Sequence, residues 1–153
     1  MKSLKILLTI FALFVFSISL CGNTANERNN VLEVVNKFFQ VLETGDTELA
    51  RDILLENGSN FSVREVGESF IIKFTQYKTL IDSLPKTKGK YKEVITDPEV
   101  LIHLNIAVVW AKYKFYIDGK FSHCGVDSFS LIRDKCKWKI ASIIYTVEKT
   151  GCK

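Results

Sequence analysis

The chain reads as an α+β domain, a strongly bent antiparallel sheet wrapped around N-terminal helices. Three observations carry that reading. Val31, Val34, Val35, Phe38, Phe39 and Leu42 recur at helical period near the start. From Ile106 to Thr146 the pattern changes to alternation at period two, punctuated by turn residues. Between two of those runs, Asp118-Gly119 is a two-residue hairpin signal, because both centres of that turn take positive φ. Helices followed by a long meander leave one apolar sheet face to cover, and the helices cover it.

Residues 1–21 have the anatomy of an export signal. Lys2 and Lys5 precede an uncharged apolar run, Ile6 to Phe16, interrupted only by Thr9, and the small residues Ser17 and Ser19 follow. That run is short for a membrane span. Ile18-Ser19-Leu20-Cys21 resembles a bacterial lipobox, which would place lipid on Cys21, although Leu20 stands where that pattern has Gly, Ala or Ser. Cleavage at Ser19 is the alternative and releases a soluble product. Either route puts the mature domain outside the cytoplasm: periplasmic, anchored to the outer membrane as a lipoprotein, or secreted. The membrane is expected to touch it only through the leader or a lipid. Residues 22–28 read as a flexible linker and 29–153 as one domain.

Asn29 or Asn30 is the expected cap of the first helix, and Thr44-Gly45-Asp46 its stop. A second helix follows over Thr47 to Leu54, then a turn at Glu56 to Asn60. Phe61 to Val66 and Ser69 to Phe74 read as a hairpin across Gly67-Glu68. Thr75 caps a short helix carrying Tyr77, Leu80, Ile81 and Leu84, which Pro85 ends. Lys86 to Lys92 reads as a basic surface loop. Tyr91 to His103 is a strand interrupted at Pro98, which predicts a bulge and an edge position. Asn105 turns the chain into Ile106 to Ile117, then Lys120 to Arg133, then Trp138 to Val147.

The run Ala107 to Phe115, Asp118-Gly119-Lys120, His123 to Leu131 and Trp138-Lys139-Ile140 resembles the nuclear transport factor 2-like superfamily. Within it, the sequence most resembles the putative lumazine-binding family of exported bacterial proteins; Tyr145-Thr146 and Gly151-Cys152 fit as well. The resemblance implies a cone-shaped, cystatin-like fold. It fixes no function, because this superfamily hosts dehydratases, isomerases, binding modules and dimerisation units.

With Asp118-Gly119 as the turn, Ile117 faces Lys120, Lys114 faces His123, Tyr113 faces Cys124 and Trp110 faces Asp127. A second turn at Asp134 to Lys137 pairs Leu131 with Ile140 and Asp127 with Ile144. One face then carries Trp110, Lys114, Tyr116, Phe121, His123, Gly125, Asp127, Phe129, Leu131, Trp138, Ser142 and Thr146. A single bulge would reverse part of this and bring Tyr113 into the same pocket. A carboxylate among aromatics must be paired, protonated or ligand-facing. Asp127 is therefore the candidate general base, with His123 as its partner in proton work. Trp110, Tyr113, His123 and Asp127 are the candidate ligand contacts. The plainer alternative has Asp127 bonding a backbone amide or Arg133, and His123 lying at a rim.

On this register Cys136, in the second turn, lies about nine strand residues from Cys124, roughly 30 Å. A disulfide needs Cα atoms within about 7 Å. Cys124 to Cys152 is the expected bond, with Cys136 left free and exposed.

The charge balance, 21 Lys+Arg against 17 Asp+Glu, is too mild to point to nucleic acid, and no basic run is interleaved with aromatics. Two histidines without a CxxC or HExxH pattern point to no metal, and no motif points to a cofactor. The expectation is an exported domain that binds a small molecule, its identity open, in a cavity between sheet and helices. The alternatives are a cofactor-free isomerase or dehydratase using Asp127, and a non-catalytic module that forms a homodimer through its sheet face.

Overall fold

The structure, a computed structural model, describes residues 26–152. The expected export leader, including Cys21, lies outside the described residues. Along the chain come helices α1 (Glu27–Thr44) and α2 (Thr47–Ile53), strands β1 (Leu54–Val66) and β2 (Ser69–Gln76) and helix α3 (Tyr77–Ser83). A 3₁₀ turn (Leu84–Lys86) leads into strands β3 (Tyr91–His103), β4 (Ile106–Ile117), β5 (Lys120–Asp134) and β6 (Lys137–Val147). The strands form one curled open sheet in the order β2-β1-β6-β5-β4-β3. Neighbours are antiparallel except β1 and β6, which run parallel. The wholly antiparallel sheet is corrected there: no hairpin joins β1 to β6, so nothing forces their directions to oppose.

Helix α1 starts at Glu27, ahead of the expected asparagine cap, and buries Val31, Val34, Val35, Phe38 and Val41. It stops where Gly45 takes φ 71° and donates its N–H to the Val41 carbonyl at 2.9 Å. Asp46 starts α2 by accepting the N–H groups of Glu48 and Leu49 at 3.0 and 2.9 Å. Phe38 meets Phe129 of β5 edge-on at 5.9 Å, which seats α1 on the sheet.

Glu56 to Asn60 is not a turn but part of β1. Gly58 explains the difference, since a Cβ there would run into the Tyr77 ring and lie 2.6 Å from the Ala141 carbonyl. The strand passes flat beneath Tyr77, and its ladder to β6 breaks between Leu54 and Ser59. β3 is an edge strand whose ladder slips between Thr96 and Glu99, around Pro98, as its proline predicts.

Two further bulges decide which side chains face the helices. The β4/β5 ladder skips Ser122, and the β5/β6 ladder skips Ala141. Beyond Ser122, Lys114 faces Cys124, Tyr113 faces Gly125, Ala111 faces Asp127 and Trp110 faces Ser128. Beyond Ala141, Asp127 faces Tyr145 rather than Ile144. Each one-residue slip exchanges the two faces. Tyr113, Phe115, Ile143 and Tyr145 therefore share the inner face with His123, Asp127 and Phe129. Trp110, Lys114, Ser142 and Thr146 move to the outer one.

The Cys124–Cys152 disulfide is present, with Cα atoms 5.8 Å apart. Glu148 pairs backbone to backbone with Cys124 at 2.8 and 3.0 Å, holding the tail against β5. Cys136 is exposed as expected, but it is disulfide-bonded rather than free. Among the described residues no cysteine is free, and no helix is long and apolar enough to cross a membrane.

Candidate functional site

A cavity of about 200 Å³ lies between α1, α3 and the inner face of the sheet. Phe38 and Leu42 of α1 and Leu80 of α3 form its roof, and Ile143 of β6 closes it below. The walls are aromatic: Tyr91, Tyr113, Phe115, His123 and Tyr145. Its polar groups are Asn60 of β1, Glu93 of β3 and Asp127 of β5. Larger hollows of about 560 and 550 Å³ open elsewhere, the first beside Arg64, Glu65 and Lys149, the second beside Arg51 and Lys139. Neither contains a buried carboxyl.

Asp127 is 3% exposed, and its buried Oδ2 meets no amide, hydroxyl or cationic donor. Its neighbour is another carboxyl, that of Glu93, to which it is hydrogen-bonded. Two ionised carboxylates are both acceptors only, so this bond needs a proton held between them. Burial raises Glu93 well above the ordinary carboxylate range, and the charge and hydrogen bond of Asp127 raise it further. Burial lifts Asp127 as well, to about 7, while the hydrogen bond from Glu93 holds it down. Above about pH 7 the pair keeps one proton and carries one negative charge, and below it a second proton binds.

The groups around the pair are weak acids. Tyr113 donates its hydroxyl to the Thr146 carbonyl at 2.5 Å. Burial, then the charges of Asp127 and Glu93, push its phenol above the usual range. Tyr145 is raised by burial too and is hydrogen-bonded to Ser62. Gly125 faces Tyr113 across the ladder, and a Cβ there would lie 2.8 Å from that ring. The glycine is what lets the ring lie flat against β5. His123 stacks on Phe115 with centroids 4.8 Å apart, and its Nδ1 is 3.0 Å from Ser122 Oγ. Burial lowers its pKa first, then the positive charges of Arg64 and Lys149. The imidazole is thus held neutral.

Of the expected contacts, Tyr113, His123 and Asp127 come together at this cavity. Trp110 does not; it lies 53% exposed on the outer face, because the Ser122 bulge turns it away. Asp127 bonds neither Arg133 nor a backbone amide. Arg133 instead pairs with Glu27, whose Oε2 also accepts the Trp138 indole N–H at 2.9 Å. Among the described residues no group of three or more His, Cys, Asp or Glu is placed to hold a metal.

Residues 26–146 match the family model described as Putative lumazine-binding. The chain belongs to that family, within the nuclear transport factor 2-like superfamily. No curated protein matches it. Among solved structures it is similar to a nuclear transport factor 2-like protein of unknown function from Shewanella baltica. That pair shares 18% identity over 84% of this chain and 99% of the other, with TM-score 0.62. A protein of unknown function with a cystatin-like fold from Nostoc punctiforme shares 10% identity over 83% and 95%, with TM-score 0.66. A nuclear transport factor 2-like protein from Cytophaga hutchinsonii shares 16% over 80% and 98%, with TM-score 0.65. At such identities these likenesses establish the fold alone.

Family membership and fold support a ligand-binding domain. Most of the lining falls outside the motif run through which the family is recognised, including two of its three polar groups, Glu93 and Asn60. Glu93 left a trace all the same. Tyr91, Glu93 and Ile95 alternate at strand period, which sets a carboxylate where an apolar inward residue belongs. Asn60 left none, since Glu56 to Asn60 has the composition of a turn.

Proposed function

We propose that this is an exported domain that binds a small molecule in the cavity between α1 and the bent sheet, against the Glu93–Asp127 pair. One observation carries the reading: Asp127 is 3% exposed, lines the cavity, and has a buried oxygen that no amide, hydroxyl or cationic group of the protein meets. A buried carboxyl without a donor is costly, and folds retain such groups where a ligand or a reaction uses them. Export is supported by the leader sequence and by the Cys124–Cys152 bond, which suits an oxidising compartment.

The test is a thermal-shift screen of a small-molecule library that includes lumazine, run on the wild type and on Leu80→Trp, which places an indole in the cavity. Compounds that stabilise the wild type and lose at least most of that effect in the variant support the cavity. A library whose hits stabilise both proteins equally would falsify it.

A second reading rests on the same pair. A carboxyl raised to about 7 beside a neutral histidine is poised for proton transfer, as an isomerase or dehydratase base would be. Any turnover found must then fall by about 10²-fold or more in Asp127→Asn; unchanged turnover ends that assignment.

A further inference from the structure

The geometry points to a small organic cation, a primary ammonium on a compact apolar body, as the ligand class of this cavity. The inference rests on the binding reading above and adds what that reading leaves open.

Three features converge on positive charge. First, two carboxyl groups line the cavity, and no lysine or arginine does. Neither carboxyl belongs to any of the ion pairs among the described residues, which are Glu33–Lys37, Glu27–Arg133 and Asp52–Lys137. Second, two acceptor oxygens there, Asp127 Oδ2 and Asn60 Oδ1, meet no amide, hydroxyl or cationic donor, and the Glu93 carboxyl is a third acceptor once its proton leaves. An ammonium brings three N–H donors. Third, the walls are aromatic faces, which attract a cation and repel an anion.

Size limits the body of the ligand. A space of 200 Å³ equals about seven water molecules at ~30 Å³ each, below the usual range for drug-sized ligands. Binding also has a proton balance. The pair keeps a proton, and a bound ammonium takes over the donor role that this proton played. One proton therefore leaves the Glu93–Asp127 pair for solvent as the cation enters. The other titratable groups lining the cavity are Tyr91 of β3, Tyr113 of β4, Tyr145 of β6 and His123 of β5; Arg64, Glu148 and Lys149 act from the rim. The Tyr113 and Tyr145 phenols are raised, and burial disfavours the charged form of His123, so at neutral pH the pair itself supplies the proton.

The experiment compares three compounds of nearly equal size, benzylammonium, benzyl alcohol and benzoate, together with lumazine. Binding to the purified protein is followed by calorimetry at pH 5.5 to 8 in buffers of different ionisation enthalpy. Benzylammonium should bind about tenfold or more tighter than benzyl alcohol, the margin of a charge-assisted hydrogen bond. Benzoate should not bind. Benzylammonium affinity should fall by up to about tenfold per pH unit on acidification, with close to one proton released at neutral pH. Glu93→Gln should keep the preference for the cation and lose the proton release at pH 8, where Asp127 alone is ionised, while Asp127→Asn should lose the preference. Benzyl alcohol, benzoate or lumazine binding as tightly as benzylammonium overturns the cation assignment and leaves the cavity reading standing. Failure of all four compounds overturns the cation assignment too, and the Leu80→Trp screen then decides the cavity separately.

Discussion

Asp127→Asn should make this protein more stable, and the gain should appear only above acid pH. The carboxyl is 3% exposed, and its pKa is raised from an ordinary 3.8 to about 7. A tenfold change in protonation equilibrium is worth about 1.4 kcal/mol, so ionising this group inside the fold costs about 4 kcal/mol at most. The sign follows from where the proton sits. The folded state keeps it to higher pH than the unfolded state does. Stability from this group is therefore complete below pH 3.8, is lost as pH rises toward 7, and is level above. Burial raises Glu93 in the same direction and extends the loss upward. Asparagine has nearly the same shape, never ionises, and can donate its amide to Glu93. Urea titrations of both proteins at unit steps from pH 4 to 8 check this. The variant should match the wild type near pH 4 and exceed it by about 2–4 kcal/mol at pH 8, a rise in Tm of roughly 10 °C. A difference that stays flat across that range would refute the shared-proton pair, and so would a variant less stable than the wild type at pH 8.

Two other outcomes follow from the same structure. The Cys124–Cys152 bond closes a loop with sequence separation 28, so Cys152→Ser should lower stability by about 3–4 kcal/mol, read as a lower urea midpoint at unchanged slope; a loss under about 0.5 kcal/mol would mean that the tail adds nothing. Trp110, with Val108 and Ile144, lies in an exposed apolar outer face, so Trp110→Ala should leave monomer stability within about 0.5 kcal/mol and cavity binding unchanged. If that face joins two copies, light scattering should give a dimer mass for the wild type and a smaller mass for the variant. A wild-type monomer at high concentration would end the dimer reading.

Much of the fold was legible because its signals are local. The helical period from Val31 to Leu42, the stop at Gly45 and the paired positive φ of Asp118 and Gly119 each depend on a few neighbouring residues. Elements went astray where distant packing overrode composition. Glu56 to Asn60 has turn chemistry but is drawn into β1, because Gly58 fits beneath a tyrosine placed by a later helix. Asp127 was legible as a site because a carboxylate between aromatics is anomalous on any register. Its partner was not, because Glu93 sits on a strand paired to β4 alone and meets Asp127 only through the curl of the sheet.

The register between β4 and β5 shows what a strand pattern alone lacks. Alternation says which residues share a face with one another, but not which of two faces turns inward after an inserted residue. Ser122 suits either face, so nothing at the insertion announces it. The information lies at a distance, in the fit of Tyr113 against Gly125. Without the bulge, Tyr113 would face Cys124 and Gly125 would face Lys112, leaving the tyrosine ring over a side chain. With it, the ring covers the one position in β5 that has no Cβ, and its hydroxyl reaches the Thr146 carbonyl. That exchange removes Trp110 from the cavity and installs Tyr113 and Phe115 beside the carboxyl pair, while the Ala141 bulge brings in Tyr145. One serine in a hairpin thus separates an exposed tryptophan from an aromatic cavity, and the glycine three residues on makes the choice.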